Sequence, residues 1–146
     1  MTLKRLLQRQ MTLLMLLVLG SFLPVSAQSH KLESLTATAK GRGSLRSTVD
    51  EQKITSALVF LRKDDTFLVA LTADVQVQAE GTWKENTSSP EQILLKITGG
   101  VLKGEMTGTG KLLLTSDRRS IKQLTINVKT RDGLEIKVTF VADTPE

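Results

Sequence analysis

Residues 67–83 read FLVALTADVQVQAEGTW, and this stretch decides the fold class. Phe67, Val69, Leu71, Ala73, Val75, Val77 and Ala79 recur at every second position, with Thr72, Asp74, Gln76, Gln78 and Glu80 between them. Successive side chains of a β-strand point to opposite faces, so this alternation predicts one strand, buried on one side and wet on the other. The odd parity continues through Gly81 to Trp83, while Thr82 faces out. The indole is therefore expected across one end of a core, with a partner for its N–H. A ligand-stacking role for Trp83 is the competing reading.

The same period extends on both sides. Leu35, Ala37, Ala39, Gly41, Gly43 and Leu45 form an earlier set; Ile93, Leu95 and Ile97 a short one; Leu124, Ile126 and Val128 another. Leu134, Ile136, Val138 and Phe140 form the last. Polar turns separate them. Lys63 to Thr66 is one, and Arg131-Asp132-Gly133 carries an Asp-Gly pair suited to the positive φ of a hairpin. Asn86 to Pro90 reads as a longer loop, Gly99-Gly100 as a break between strands, and Ser116 to Ser120 as a further hairpin. Residues 28–146 thus read as about seven short-linked strands with no helical spacing. The expectation is an all-β antiparallel up-and-down meander, closed or nearly closed into a small barrel. A two-layer β-sandwich is the alternative.

Residues 41–73 align without a gap onto 108–140. Gly41 and Gly43 fall on Gly108 and Gly110, Ile54 on Ile121, Asp65 on Asp132 and Phe67 on Leu134. This predicts two equivalent three-strand units. The glycines lie on buried parity, where a missing Cβ marks a bend, a bulge or a close backbone approach. Sharp coiling at such places would help a sheet close, and closure removes exposed strand edges.

Gly81-Thr82-Trp83 beside alternating strands resembles the Gly-x-Trp signature of lipocalin-like barrels, which implies a tryptophan packed across one barrel end. That family carries the motif on its first strand, unlike this chain. Together with Gly41-x-Gly43, Ile97-Thr98-Gly99-Gly100, Gly108-x-Gly110-x-Leu112 and Phe140-Val141-Ala142, it also resembles small secreted bacterial β-domain proteins of unassigned function. The resemblance spans most of residues 28–146. It implies export and a β domain, and no activity.

The chain opens as a secretory signal does. Lys4, Arg5 and Arg9 precede an apolar run from Met11 to Leu19, Phe22 and Leu23 extend it, and Pro24 ends it. Val25-Ser26-Ala27 offers the small residues that a signal peptidase reads, so cleavage is expected after Ala27. A transmembrane anchor would need about 20 apolar residues, more than this run holds. No cysteine follows to carry a lipid. The expected location is the periplasm or the extracellular space, with no stable membrane anchor after cleavage.

Cleavage also changes the charge. The whole chain carries 20 Lys and Arg against 15 Asp and Glu. Losing the three basic residues of the leader leaves 17 against 15, a net charge of +2. Near balance with interspersed signs argues against a nucleic-acid partner. There is no tyrosine and little else aromatic for stacking bases or sugars. With no cysteine, disulfides and thiolate metal sites are out of reach.

No catalytic residue, cofactor site or metal site is assigned. His30, the single histidine, falls in the terminal segment just past the expected cut, which disfavours a Ser-His or multi-histidine site. Asp64-Asp65 is the best carboxylate pair but occupies a turn, where aspartate has a structural role. Gly41-Arg42-Gly43 and Gly108-Thr109-Gly110 lack the helix and Gly-Lys-Ser/Thr of a phosphate loop. Leu58 and Phe60 take the parity opposite to Val59 and Leu61, so they predict an exposed apolar patch for a partner, unless the segment from Leu32 to Leu35 covers them. With Trp83 they are the candidate ligand or partner contacts. The expected function is that of an exported, non-enzymatic β domain, with a small apolar ligand in the barrel as one reading. A structural or protein-interaction domain of the cell envelope is the other.

Overall fold

The computed structural model describes residues 31–100 and 105–144. The expected signal peptide, residues 1–27, and His30 lie outside them. Eight antiparallel strands run in chain order: β1 (Leu35–Ser47), β2 (Glu51–Leu61), β3 (Thr66–Thr72), β4 (Gln76–Asn86), β5 (Ser89–Gly100), β6 (Met106–Leu114), β7 (Ile121–Thr130) and β8 (Glu135–Ala142). Each strand pairs with the next, and β1 closes the barrel by pairing with β8 from Gly41↔Ala142 to Ser47↔Ile136. The meander and the closed barrel are as the alternation predicts.

The eighth strand comes from the deciding stretch itself. Residues 67–79 are not one strand: Ala73, Asp74 and Val75 form a turn between β3 and β4. Leu71 then faces Val77 and Thr72 faces Gln76. Cross-strand partners share a face of the sheet, and here both members of each pair have the same parity. Odd residues therefore point inward on both strands, and the alternation passes through the turn without a break. Val75, read as inward, is exposed. Gly81 and Trp83 fall within β4.

Two other boundaries move. The Asn86–Pro90 loop shrinks to Thr87-Ser88, tied by the Ser88 N–H to Asn86 Oδ1 at 3.1 Å. Pro90 sits where the β4–β5 register slips, a place where a missing ladder donor is tolerated. Gly99 and Gly100 do not separate strands but end β5.

The glycines admit close backbone approaches, as their parity suggests. A Cβ on Gly43 would collide with the Thr139 carbonyl, one on Gly81 with the Lys96 carbonyl, and one on Gly108 with the Asn127 carbonyl. Beside Gly43, β1 bulges, with Gly41 and Arg42 set against Thr55 alone. Thr98 is the extra residue of a second bulge, opposite Glu80 and Gly81. Bulges and glycine kinks give a sheet the local curvature that closure requires.

The two units of the proposed repeat do not pair equivalently. β2 and β7 share an inward pattern, Ile54, Ala57, Val59, Leu61 against Ile121, Leu124, Ile126, Val128. Their neighbours differ in register, however. Gly43 faces Ile54, whereas its counterpart Gly110 faces Ile126 and not Ile121. Leu61 faces Phe67, whereas Val128 faces Ile136 and not Leu134. The expectation of equivalent units is corrected: the likeness belongs to single strands, whose amphipathic patterns converge, and does not extend to their pairing.

Inside, Phe67, Phe140, Ile54, Leu61, Leu71, Ile93, Ile97, Leu112 and Leu124 belong to one buried apolar cluster that extends to Trp83. Among the described residues no polar or charged side chain is buried. The barrel is thus packed with its own side chains, the usual filling for eight strands.

Candidate functional site

The sequence-predicted contact residues do not come together. Trp83 points into the barrel and is 5% exposed. Its backbone N–H donates to the Asp65 carbonyl at 2.8 Å, and its Nε1–H donates to the Arg62 carbonyl at 3.0 Å. Both carbonyls belong to the β2–β3 turn, so the indole is clamped beneath that turn at one end of the barrel. At the same end the half-buried Glu85 accepts from the Leu32 N–H at 2.9 Å and pairs with Arg118. Leu32 and Leu35 pack against the core cluster.

Leu58 and Phe60 lie on the outer face of β2, with Ala70 and Leu68 opposite them on β3. All three leucine and phenylalanine side chains are half-buried and Ala70 is buried, so the patch is less open than expected. Leu32 and Leu35, the residues thought able to cover it, pack instead against the interior cluster.

The aspartates of the turns are structural. Asp64 Oδ1 accepts from the Thr66 hydroxyl at 2.6 Å and the Thr66 N–H at 3.0 Å, and these bonds, the hydroxyl's first, hold its carboxyl below the ordinary aspartate range. Asp65 takes a positive φ of 64° in the same turn. Asp117 repeats the device with the Thr115 hydroxyl at 2.5 Å and the Arg119 N–H at 3.1 Å, and its carboxyl is lowered by the same two bonds in that order. Among the described residues no three His, Cys, Asp or Glu side chains gather as a metal site would require.

A large concavity lies on the outside of the wall, away from the Leu58 and Phe60 patch that the sequence singled out. A half-open groove of about 860 Å³ crosses the outer face of β4 to β8. Two cross-strand rows form it. One passes through Lys84, Leu94, Lys111 and Thr125, and the other through Thr82, Lys96, Thr109, Asn127 and Lys137. Gly108, Gly110 and Trp83 also border it. Lys84, Lys96, Lys111 and Lys137 are all exposed, and among the described residues no carboxylate lines the groove. Among the described residues none of the four has an ion-pair partner; the ion pairs join Arg46 to Glu51, Lys63 to Glu33, Arg118 to Glu85 and Lys129 to Glu135. A second concavity of about 590 Å³ continues past Thr107, Asn127 and Lys137 toward Arg46 and Lys129.

The signal for this groove in the sequence was faint. Each lysine looked like an ordinary outward residue of its own strand. Only the register places Lys96 between Thr82 and Thr109, and Asn127 between Thr109 and Lys137. No family model and no curated protein matches the chain. Among solved structures the chain is similar to a redesigned β-barrel, at 17% identity over 75% of this chain and 92% of that chain, with a TM-score of 0.46.

Proposed function

We propose that this is an exported, non-enzymatic binding domain of the cell envelope that works from the outside of its barrel. The groove across β4 to β8 carries this reading: it is the larger of the two concavities described, and a wall built of regular, mutually paired strands holds its lining in place. The packed interior supports it. A small apolar ligand in the lumen would have to displace side chains such as Phe67, Leu112 and Phe140, each 0% exposed. The facing of the wall agrees with a domain that does not span a membrane. Barrels that do so turn an apolar band to lipid, whereas here Lys96, Lys111 and Lys137 stand on the outside. Export rests on the leader chemistry, and N-terminal sequencing of protein recovered outside the cytoplasm should begin at Gln28; an intact Met1 would contradict it.

A photo-crosslinking residue tests the groove in the native envelope. Placed at Thr109 it is expected to give adducts, while the same residue at Phe60 on the opposite outer face gives none. Adducts from Phe60 alone would move the function to the β2–β3 patch, and adducts from neither position would remove support for an outer binding face.

A further inference from the structure

Accepting the groove as the binding face, we infer that its ligand is an extended anionic polysaccharide. Charge complementarity comes first. Among the described residues these four ammonium groups have no ion-pair partner and no carboxylate joins them in the lining, which makes a site that repels cations and holds anions. Their spacing suits a polymer and not a point ion. Adjacent strands lie about 4.8 Å apart, so Lys84 and Lys111, two strands apart, stand about 10 Å from each other at the backbone, and Lys96 and Lys137 about 14 Å. Charges so distributed match an anion that repeats along a thread crossing the strands.

The rest of the lining selects the kind of thread. Threonine hydroxyls and Asn127 offer donors and acceptors between the lysines, while threonine methyls, lysine stems and Leu94 supply apolar surface. Sugar rings present the same mixture of hydroxyl edges and C–H faces. With the one tryptophan 5% exposed and already bonded to the Arg62 carbonyl, the face can stack neither bases nor sugar rings, so a saccharide chain is held through its anionic groups and hydroxyls, whereas a single-stranded nucleic acid loses its base contacts. An acyl chain would need a continuous apolar channel, and Leu94 is the one large aliphatic outward residue in the two rows. A bilayer surface is met by a protruding face, and this one is concave.

The test titrates the purified exported protein with a size-defined heparin oligosaccharide, with neutral dextran, single-stranded DNA and phosphatidylglycerol vesicles in parallel, by calorimetry. The heparin fragment is expected to bind, with affinity falling steeply between about 50 and about 200 mM salt, as release of counterions demands. Replacing Lys96 and Lys111 together by glutamine should weaken binding about tenfold, with the melting midpoint unchanged, while the same change at Lys53 and Lys122, off the groove, leaves binding intact. No heparin binding at low salt, tighter binding of DNA or vesicles, or equal loss from the Lys53/Lys122 pair would each overturn the inference. Thr109 crosslinks that persist alongside a failed heparin titration would leave the groove as the binding face and refute only the polysaccharide.

Discussion

The β2–β3 hairpin and the β5–β6 hairpin are built alike on the inside and oppositely on the outside. Inward, β2–β3 sets Val59 against Val69 and β5–β6 sets Ile93 against Leu112, all fully buried in one cluster. Outward, β2–β3 sets Leu58 against Ala70 and Phe60 against Leu68, whereas β5–β6 sets Leu94 against Lys111 and Lys96 against Thr109. The inner faces carry the fold and are interchangeable in kind. The outer faces are free to differ, and the difference is what supports the proposal of a binding face on the β4–β8 side of the wall.

The largest effect is expected where the inner face is clamped. Trp83→Ala removes a buried indole and its bond to the Arg62 carbonyl, and should cost about 3–5 kcal/mol in denaturant unfolding. Native emission well to the blue of free indole accompanies that placement. A midpoint unchanged by the substitution would show that the inner face does not carry the stability of the barrel. Gly81→Ala comes next. The new Cβ meets the Lys96 carbonyl, so backbone must move, and a loss of about 1–3 kcal/mol is expected.

How much of this could be read from the chain follows the same division. The inward sets of β3, β4, β7 and β8 are plain in the sequence, because a single buried face imposes period two on residues that are close in the chain. The end placement of Trp83 follows from the same parity. The turn at Ala73–Val75 was hidden because Leu71 and Val77 face each other with equal parity, so the pattern kept its phase. The likeness of 41–73 to 108–140 misled for a related reason: amphipathic pattern records which face is buried and says nothing of the partner strand. The groove was beyond the reach of pattern altogether. Lys84 and Lys111 enter one row and Lys96 and Lys137 the other only through register, with the bulge at Thr98 and the close approaches at Gly81 and Gly108 alongside.

Smaller effects sharpen the contrast between the two outer faces. Phe60→Ala is expected to cost about 1 kcal/mol, the share left to a half-buried side chain. Lys96→Ala should stay within about 0.5 kcal/mol, because its exposed ammonium holds no partner. Equal losses at both sites in thermal melts would erase the distinction between a face that helps stability and one proposed for binding. The smallest effect is on pH dependence. Asp64 and Asp117 have carboxyls lowered in the folded protein, so the unfolded chain binds protons more readily than the native one. Their contribution is present above the unfolded value of about 3.9 and disappears as pH falls through the lower folded values. The double variant Asp64→Asn/Asp117→Asn should therefore melt below the parent near neutrality and converge with it in acid; a gap that widens on acidification would contradict the assignment.

Methyl-resolved NMR addresses the central claim most directly, since the two faces of the wall carry different methyl groups. Outside, the groove holds the methyls of Thr82, Thr98, Thr107, Thr109 and Thr125; inside, Leu71, Leu112, Ile126 and Val138 fill the barrel. On titration with the heparin oligosaccharide, the threonine methyls are expected to shift while the interior methyls hold their positions. Adding a fatty acid in a parallel sample should move neither set. Shifts concentrated on Leu71, Leu112, Ile126 and Val138 with either ligand would place binding in the lumen and contradict the account.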